Sequence, residues 1–139
     1  MAYDSTKVPI SQSQHEIRRM VYSHHGTGVS FISQPPREGF EALVTMAELS
    51  YHIRVMATCQ PKDKLQDREQ EERRVWRVLH WHLKAMFEAA DSGVIAVEDI
   101  ILPYIVTPDN RTIAEHMKPK LAELRNMNAE KLLTAGGLK

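Results

Sequence analysis

Residues 66–91, QDREQEERRVWRVLHWHLKAMFEAAD, contain neither glycine nor proline and carry the clearest periodic pattern in the chain. Their apolar side chains recur at intervals of three and four residues, as they do along one side of an α-helix: Trp76, Leu79, Leu83, Met86 and Ala90, with Val75, Val78 and Phe87 widening that side. Acidic residues in the first turns oppose the helix dipole favourably, and Asp91-Ser92-Gly93 marks the end. The stretch predicts one long amphipathic helix that anchors the other elements.

The segment before this helix predicts β-strands. Apolar residues recur there at period two, which is the pattern of a half-buried strand: Val29 and Phe31, then Ala42, Val44 and Met46, then Tyr51, Ile53, Val55 and Ala57. Residues 34–39, QPPREG, predict a loop, because proline cannot pair within a central strand. A hairpin connection is expected near residues 48–50. A helix over residues 40–49 competes with the strand prediction, since Glu, Ala, Leu and Met all favour helices.

Shorter helices are predicted near both ends of the chain. Residues 13–16, Ser-Gln-His-Glu, match a capping box and predict a helix of about three turns that Gly26 and Gly28 terminate. Residues 96–104 predict a short helix that ends before Pro103, followed by a short strand at 105–106. The sequence then predicts a turn over residues 107–110 and a second capping box over 112–115, which opens a helix that bends or stops near Pro119.

These elements predict an α+β fold, with a small antiparallel sheet of about three strands packed on one long amphipathic helix and shorter N- and C-terminal helices. We divide the chain into a flexible N-terminal arm (1–12), a single α+β domain (13–125) and a C-terminal tail (126–139). The opening order α-β-β-β-α also occurs in double-stranded RNA-binding domains, but element order alone implies no function.

Composition narrows the classes of function. The 139 residues include 18 Lys plus Arg and 18 Asp plus Glu, so the formal net charge is zero. This argues against a generally cationic nucleic-acid-binding surface, although a local basic face stays open. The single cysteine, Cys59, excludes an intrachain disulfide and fits a reducing compartment. The sequence shows neither a signal-peptide pattern nor the ~18 consecutive apolar residues of a membrane span. We therefore expect a cytoplasmic protein without a membrane partner.

The long helix also carries a row of basic residues. Arg73, Arg77, His80 and Lys84 stand at offsets of zero, four, seven and eleven, hence along one side of the helix, and Arg74 broadens the row. Such a row could contact nucleic-acid phosphates or an acidic partner. The alternative is a solvated helix face with Glu–Arg pairs.

Trp81 lies at the margin of the apolar side of the long helix. It is therefore either an exposed interface residue or covered by a second element such as the C-terminal helix.

Histidine and cysteine supply the other candidate chemistry. His24, His25 and His52 are the candidate residues of a pocket. None of the seven histidines has a known zinc-binding spacing, and His52 lies on the opposite strand face from Cys59 by parity, so no base is expected beside the thiol. We predict no catalytic residue, no metal and no cofactor.

Three segments carry a resemblance to known sequences. They are residues 6–9 with Glu16-Ile17; residues 74–77 with Lys84, Glu88, Ser92 and Gly93; and Asp99 with residues 104–113, YIVTPDNRTI. Together they resemble a family of small uncharacterised proteins encoded by phages and prophages, over most of residues 6–121. Asn110 stands where the family pattern usually has glycine, a substitution that turns tolerate. The resemblance implies a mobile-element origin and an accessory role, with no reaction or catalytic residue to transfer.

The leading hypothesis is a non-enzymatic phage-type accessory protein in the host cytoplasm. It would bind a macromolecule, with nucleic acid or a nucleic-acid-processing protein favoured, through the long helix and a sheet edge. Its binding residues would be Arg73, Arg74, Arg77, His80, Trp81 and Lys84. One alternative is an inhibitor that sequesters a host defence protein or a small-molecule ligand. Another is a small enzyme with a histidine-lined pocket. Homo-oligomerisation is compatible with all three, since so long a helix can bury more than one face.

Overall fold

The computed structural model describes residues 3–125, so the predicted tail over 126–139 lies outside the described residues. Its main elements are α1 (Ile10–Ser23), β1 (Gly28–Gln34), β2 (Arg37–Met46), β3 (Leu49–Thr58), α2 (Leu65–Ser92), α3 (Val97–Ile101), α4 (Ile113–Met117) and α5 (Leu121–Arg125). Single 3₁₀ turns follow α3 and α4 at Leu102–Tyr104 and Lys118–Lys120. The predicted α+β class, with a three-stranded antiparallel sheet and one long helix, is confirmed.

The sheet is a meander in the order β1-β2-β3. Phe40 pairs with Phe31 on one side and with Val55 on the other. Because side chains alternate between faces along a strand, the inner face carries the buried residues Phe40, Ala42, Val44, Met46, Ile53 and Val55. The other, outer face carries Glu41, His52 and Arg54. The period-two prediction is therefore confirmed, and a helix over residues 40–49 is wrong.

The connection between β1 and β2 differs from its prediction, whereas the hairpin expected near residues 48–50 is present and overlaps that range. The turn after β1 contains only Pro35–Pro36, and residues 37–39, predicted as loop, begin β2. Tertiary contacts explain this difference, because buried Glu38 accepts hydrogen bonds from Ser33 Oγ at 2.7 Å and from Trp76 Nε1 at 3.3 Å. The β2–β3 turn is Ala47–Glu48, and both residues take left-handed backbone conformations with φ of 49° and 66°.

The long helix α2 runs from Leu65 to Ser92 without interruption, as predicted. It ends at Gly93, whose φ of 71° is left-handed. The apolar side packs into the core, except that Val78 is exposed. The side chain of Val78 points roughly 140° away from that of buried Leu83 around the helix axis. The prediction that Val78 widens the buried side of the helix is therefore wrong.

Helix α1 begins earlier than predicted. Pro9, in an extended conformation, takes the N-cap position, and Ser13 is a buried residue of the helix whose hydroxyl has no partner within residues 3–125. The capping box at residues 13–16 is therefore wrong. His25, with φ of 67°, takes the left-handed conformation after the helix in place of a glycine.

After α2, the chain packs α3 beside that helix through buried Val97 and Ile101 and then follows the free edge of β3. Ile105 forms a bridge with Ile53, and Val106 N donates to the His52 carbonyl at 3.0 Å, in agreement with the predicted short strand.

The turn over residues 107–110 and the start of α4 also agree with the sequence. Asn110 is left-handed with φ of 65°, and the Thr112 hydroxyl accepts from Glu115 N at 3.2 Å, as one half of a capping box. Helix α4 ends at Met117, two residues before Pro119.

We predict that Gly39→Ala destabilises the sheet by about 1–3 kcal/mol. An added Cβ at Gly39 would overlap the carbonyl oxygen of Val55 and approach Met56 Cα to 2.9 Å, and these backbone atoms cannot move without shifting β3. Gly28→Ala is the matched control, because its Cβ would meet nothing closer than Leu43 Cδ1 at 3.8 Å. Denaturant unfolding of both variants measures the difference, and equal stabilities would contradict the packing described here.

Candidate functional site

A groove opens between α1 and α2. Glu16 contacts Arg77 near the middle of both helices, and His24 contacts Asp91 at the C-terminal end of both helices. The two helices therefore run in the same direction. The groove encloses about 760 Å³, within the usual range of ligand sites. It joins three residues of the predicted basic row with two residues that the sequence singled out separately. The row contributes Arg77, His80 and Lys84, and the other two are Trp81 and His24.

Arg77 forms the base of this α1–α2 groove. Its side chain is buried, its Nη2 donates to Glu16 Oε2 at 2.7 Å, and the same nitrogen donates to His80 Nδ1. Burial raises the pKa of Glu16, but the hydrogen bond and charge of Arg77, with the charge of His80, lower it overall. Arg77 Nε is buried without a partner within residues 3–125. An unpaired buried donor costs about 1–3 kcal/mol, so this arrangement is not optimised for stability alone.

His80 is held as a neutral acceptor beside this arginine. Burial lowers the pKa of His80, and the charge of Arg77 lowers it further, against the opposing effect of Glu16. The neutral ring accepts the Arg77 hydrogen bond at Nδ1, and a proton at that position would oppose the guanidinium.

Trp81 forms the exposed wall of the groove, with 39% of its surface accessible. Lys84 Nζ lies 4.4 Å from the centroid of its ring, within the range of a cation–π contact. The ring of Tyr3 lies nearly parallel to Trp81, with the centroids 6.5 Å apart. Within the described residues, Trp81 is therefore covered in part by the N-terminal segment and not by the C-terminal helix.

The N-terminal segment is attached to α2. Gln70 Nε2 donates to the carbonyl oxygens of Asp4 and Thr6 at 3.0 and 2.8 Å. Residues 10–12, which the sequence assigned to a flexible arm, belong to α1. The segment thus lines one end of the groove, where Tyr3, Thr6 and Val8 contribute to its wall.

The other end of the groove is acidic. The His24 ring stacks on Phe87 with centroids 4.0 Å apart, and its Nε2 lies 3.2 Å from Asp91 Oδ2. Asp91 and Glu88 are largely exposed there. The groove thus carries carboxylates at one end and the side chains of Trp81 and Lys84 further back along α2.

The predicted basic row is not a free cationic surface. Arg73 donates to Gln70 Oε1, Arg74 forms a two-nitrogen pair with buried Glu71 at 2.7 and 2.9 Å, and Arg77 is buried against Glu16. Lys84 lies 3.9 Å from Glu88. Gln70, Glu71 and Glu88 belong to α2 itself, so these contacts resemble the paired helix face that the sequence offered as the alternative. Only Arg77 is paired through the packing of α1.

Of the three histidines expected to line a pocket, one lies in the groove and the other two lie elsewhere. His24 lies in the groove, but His52 lies on the outer face of the sheet, 3.8 Å from Glu41, and His25 lies in the turn after α1. Among residues 3–125, no group of three or more His, Cys, Asp or Glu side chains is placed to hold a metal ion.

Cys59 lies outside the groove, beside the β3–α2 loop. Burial raises the pKa of its thiol to about 11, and the carboxylates of Glu38, Glu71 and Glu72 contribute to the rise. Because the thiolate is the nucleophilic form, this cysteine is held in its unreactive form at neutral pH.

Sequence reasoning missed several residues of the groove. Glu16 was assigned to a helix cap and Asp91 to a helix end, while Tyr3 and Arg19 carried no signal. The paired groove residues lie more than 60 positions apart in sequence, as in Glu16–Arg77 and His24–Asp91. Only an arrangement of α1 along α2 brings these residues together.

Comparisons with protein-family models, curated proteins and solved structures find no match to this chain. Among residues 3–125, no helix has both the length and the apolar character that crossing a membrane requires.

We predict that His80→Asn flattens the pH dependence of stability between about pH 7.5 and 5.5. The folded-state pKa of His80 lies below its unfolded value of about 6.5, so the unfolded chain binds the proton more readily. Wild-type stability is then complete above that unfolded pKa and is lost as the pH falls through the folded pKa. Asn retains an acceptor for Arg77 but cannot titrate. Melting temperatures across this range measure the effect, with His15→Asn, on the exposed side of α1, as control; parallel curves for wild type and His80→Asn would contradict it.

We also predict slow alkylation of Cys59 in the folded protein. With a pKa of about 11 in place of the ordinary 9.0, the thiolate fraction at pH 8 falls by about 100-fold. Iodoacetamide should therefore modify the unfolded chain in denaturant about 100 times faster than the folded chain, as mass spectrometry can measure. Equal rates in the two states would show that the folded thiol has an ordinary pKa and would contradict this prediction, and a faster rate in the folded protein would indicate an activated thiol.

Proposed function

We propose that this protein is a non-enzymatic binding protein that holds a segment of a partner protein in the α1–α2 groove. The observation that carries the proposal is the exposure of Trp81, at 39%, in the wall of a groove of about 760 Å³. Tryptophan is enriched among the residues that dominate binding energies at protein interfaces. A globular domain gains nothing in its own stability from leaving such a ring accessible.

The shape and charge of the groove define the partner segment. Met20, Phe87 and Trp81 provide an apolar middle, which suits a single large apolar anchor residue. Glu88 and Asp91 expose about two thirds of their side-chain surface at one end, which favours a basic residue on that side of the anchor. Arg19, which forms no ion pair within residues 3–125, favours an acidic residue elsewhere on the segment.

An enzymatic role has less support, even though Ser23, His24 and Asp91 stand in a row. His24 Nδ1 lies 3.4 Å from the Ser23 hydroxyl but only 2.9 Å from the Met20 carbonyl oxygen. Since that oxygen can only accept, Nδ1 carries a hydrogen and cannot take a proton from Ser23. The serine hydroxyl also donates to the same carbonyl, at 3.0 Å. The row therefore positions His24 against Phe87 and does not activate a nucleophile.

Nucleic-acid binding through α2 also has less support, because Arg73, Arg74 and Arg77 already have partners. A groove for a protein segment agrees with the accessory role implied by the resemblance to phage-encoded proteins. Sequestration of a host protein is one form that such a role takes.

We predict that Trp81→Ser abolishes most binding of peptides that occupy the groove. Peptides selected from a random library against the wild-type protein should share a large apolar residue with a basic neighbour. Trp81→Ser should weaken them by at least about 30-fold, the value of a strong interface residue. The binding constants are measured by fluorescence anisotropy of labelled peptides.

Val78→Ser is the matched control, since Val78 lies on the same helix, is 38% exposed and does not line the groove. It should leave the binding constants within about twofold. The proposal fails if selection yields no peptides, or if the selected peptides bind Trp81→Ser as tightly as wild type.

A further inference from the structure

A second concave site lies on the outer face of the sheet, away from the α1–α2 groove. It encloses about 480 Å³ between strands β2 and β3 and the chain from Pro103 to Pro119. We call it the outer cleft; its walls include Arg37, Met56, Thr58, Arg111, Glu115 and Lys118. It does not depend on the function proposed for the groove, since the two sites share no lining residue.

Arg54 fixes the walls of this cleft. Its side chain is 13% exposed, and its Nε donates to Glu41 Oε1 at 2.6 Å. Its Nη1 and Nη2 donate to the main-chain and side-chain oxygens of Asn110 at 3.0 and 2.6 Å. Because a guanidinium with three such bonds is held in one orientation, the turn over residues 107–110 is fixed against the sheet.

The opposite wall is held by α2. The hydroxyl of Tyr104, which lines the cleft, lies 2.8 Å from His82 Nε2. Elements of the fold therefore fix the cleft on both sides. A site that is already ordered loses less conformational entropy when it binds a ligand.

The charge of the cleft is strongly one-sided. Arg37, Arg111 and Lys118 are exposed, and none of them forms an ion pair with a carboxylate within residues 3–125. Glu115 also lines the cleft, but its Oε1 lies 3.8 Å from Arg54 Nη1. The negative charge of Glu115 is therefore paired with Arg54 and not with Arg37, Arg111 or Lys118. Three cations without a carboxylate partner thus line one concavity in a protein whose formal net charge is zero. Arg111 Nη2 donates to a neutral acceptor, the main-chain oxygen of Glu115, at 3.1 Å.

We propose that the outer cleft binds a phosphate group. A phosphate monoester carries nearly two negative charges and three acceptor oxygens, which three converging cations match better than the single charge of a carboxylate. Arginine forms paired hydrogen bonds to phosphate oxygens, and lysine adds a point charge. Thr58 pairs with Arg37 across β2 and β3 and also lines the cleft, so its hydroxyl adds a neutral hydrogen-bond donor. The phosphate belongs either to a small phosphate monoester or to a nucleic-acid backbone, whose diesters carry one charge each and would match the three cations with consecutive phosphates.

The test is an NMR titration of the full chain with pyrophosphate, and separately with a single-stranded 12-residue oligonucleotide, at low ionic strength. We expect chemical-shift changes at Arg37, Thr58, Arg111 and Lys118 that decrease with added salt. The variant Arg37→Ala/Lys118→Ala should bind at least about tenfold more weakly, since each lost charge-assisted hydrogen bond contributes on that scale. Its amide spectrum away from the cleft should match that of the wild type.

The control variant Lys64→Ala/Arg68→Ala removes the same charge from exposed positions outside the cleft. It should keep wild-type affinity. Binding of pyrophosphate, with or without the oligonucleotide, supports a small phosphate ester as ligand, and binding of the oligonucleotide alone supports a nucleic-acid backbone. The proposal is overturned if neither probe shifts the cleft residues, or if the control variant weakens binding as much as Arg37→Ala/Lys118→Ala.

Discussion

The contact of Trp76 with the sheet is the interaction on which the remaining arrangement depends. This side chain is almost fully buried, its ring meets Phe31 of β1 edge-on with centroids 5.7 Å apart, and its Nε1 donates to Glu38 of β2. One residue thus joins α2 to two strands by both apolar area and a hydrogen bond. The side of α2 that carries Trp76 packs on the sheet. On one flank of this side, α2 contacts α1 through Arg77 and Glu16, and on the other it contacts the chain after α3 through His82 and Tyr104. The groove and the outer cleft both follow from these two flanking contacts.

The parts of the fold that the sequence predicted are those in which local pattern and tertiary packing agree. The buried side of α2 and the inner residues of β2 and β3 have the right period because burial itself produces that period. The failures are places where a distant partner decides the structure. Glu16 lies three residues after Ser13 and so matches a cap, yet it pairs with Arg77, 61 positions away. Glu38 was assigned to a loop by its proline and glycine neighbours, yet it is a buried acceptor for Trp76.

The candidate sites show the same division. Helical spacing correctly placed Arg77, His80 and Lys84 along one side of α2, but spacing carries no information about which side α1 covers, so a groove appeared as a free basic row. The outer cleft was missed because Arg37, Arg111 and Lys118 come from three separate segments, and a net charge of zero conceals a local excess. The two sites differ in chemistry, since one is mixed in charge with an apolar middle and the other is cationic. They also share no lining residue, so that occupation of one leaves the other accessible.

The Ala47–Glu48 turn shows where this sheet tolerates variation. Left-handed backbone costs residues with a Cβ roughly 1–2 kcal/mol each, and neither alanine nor glutamate recovers it as glycine or asparagine would. The ten residue pairs from Met46↔Leu49 to Arg37↔Thr58 maintain the alignment regardless, because a slip by one residue would turn Phe40 and Val44 toward solvent. The hairpin is therefore specified by its strands and not by its loop. Exchange of the two loop residues therefore leaves the strand alignment in place, whereas a single-residue insertion within either strand reverses the facing of the side chains on one side of it.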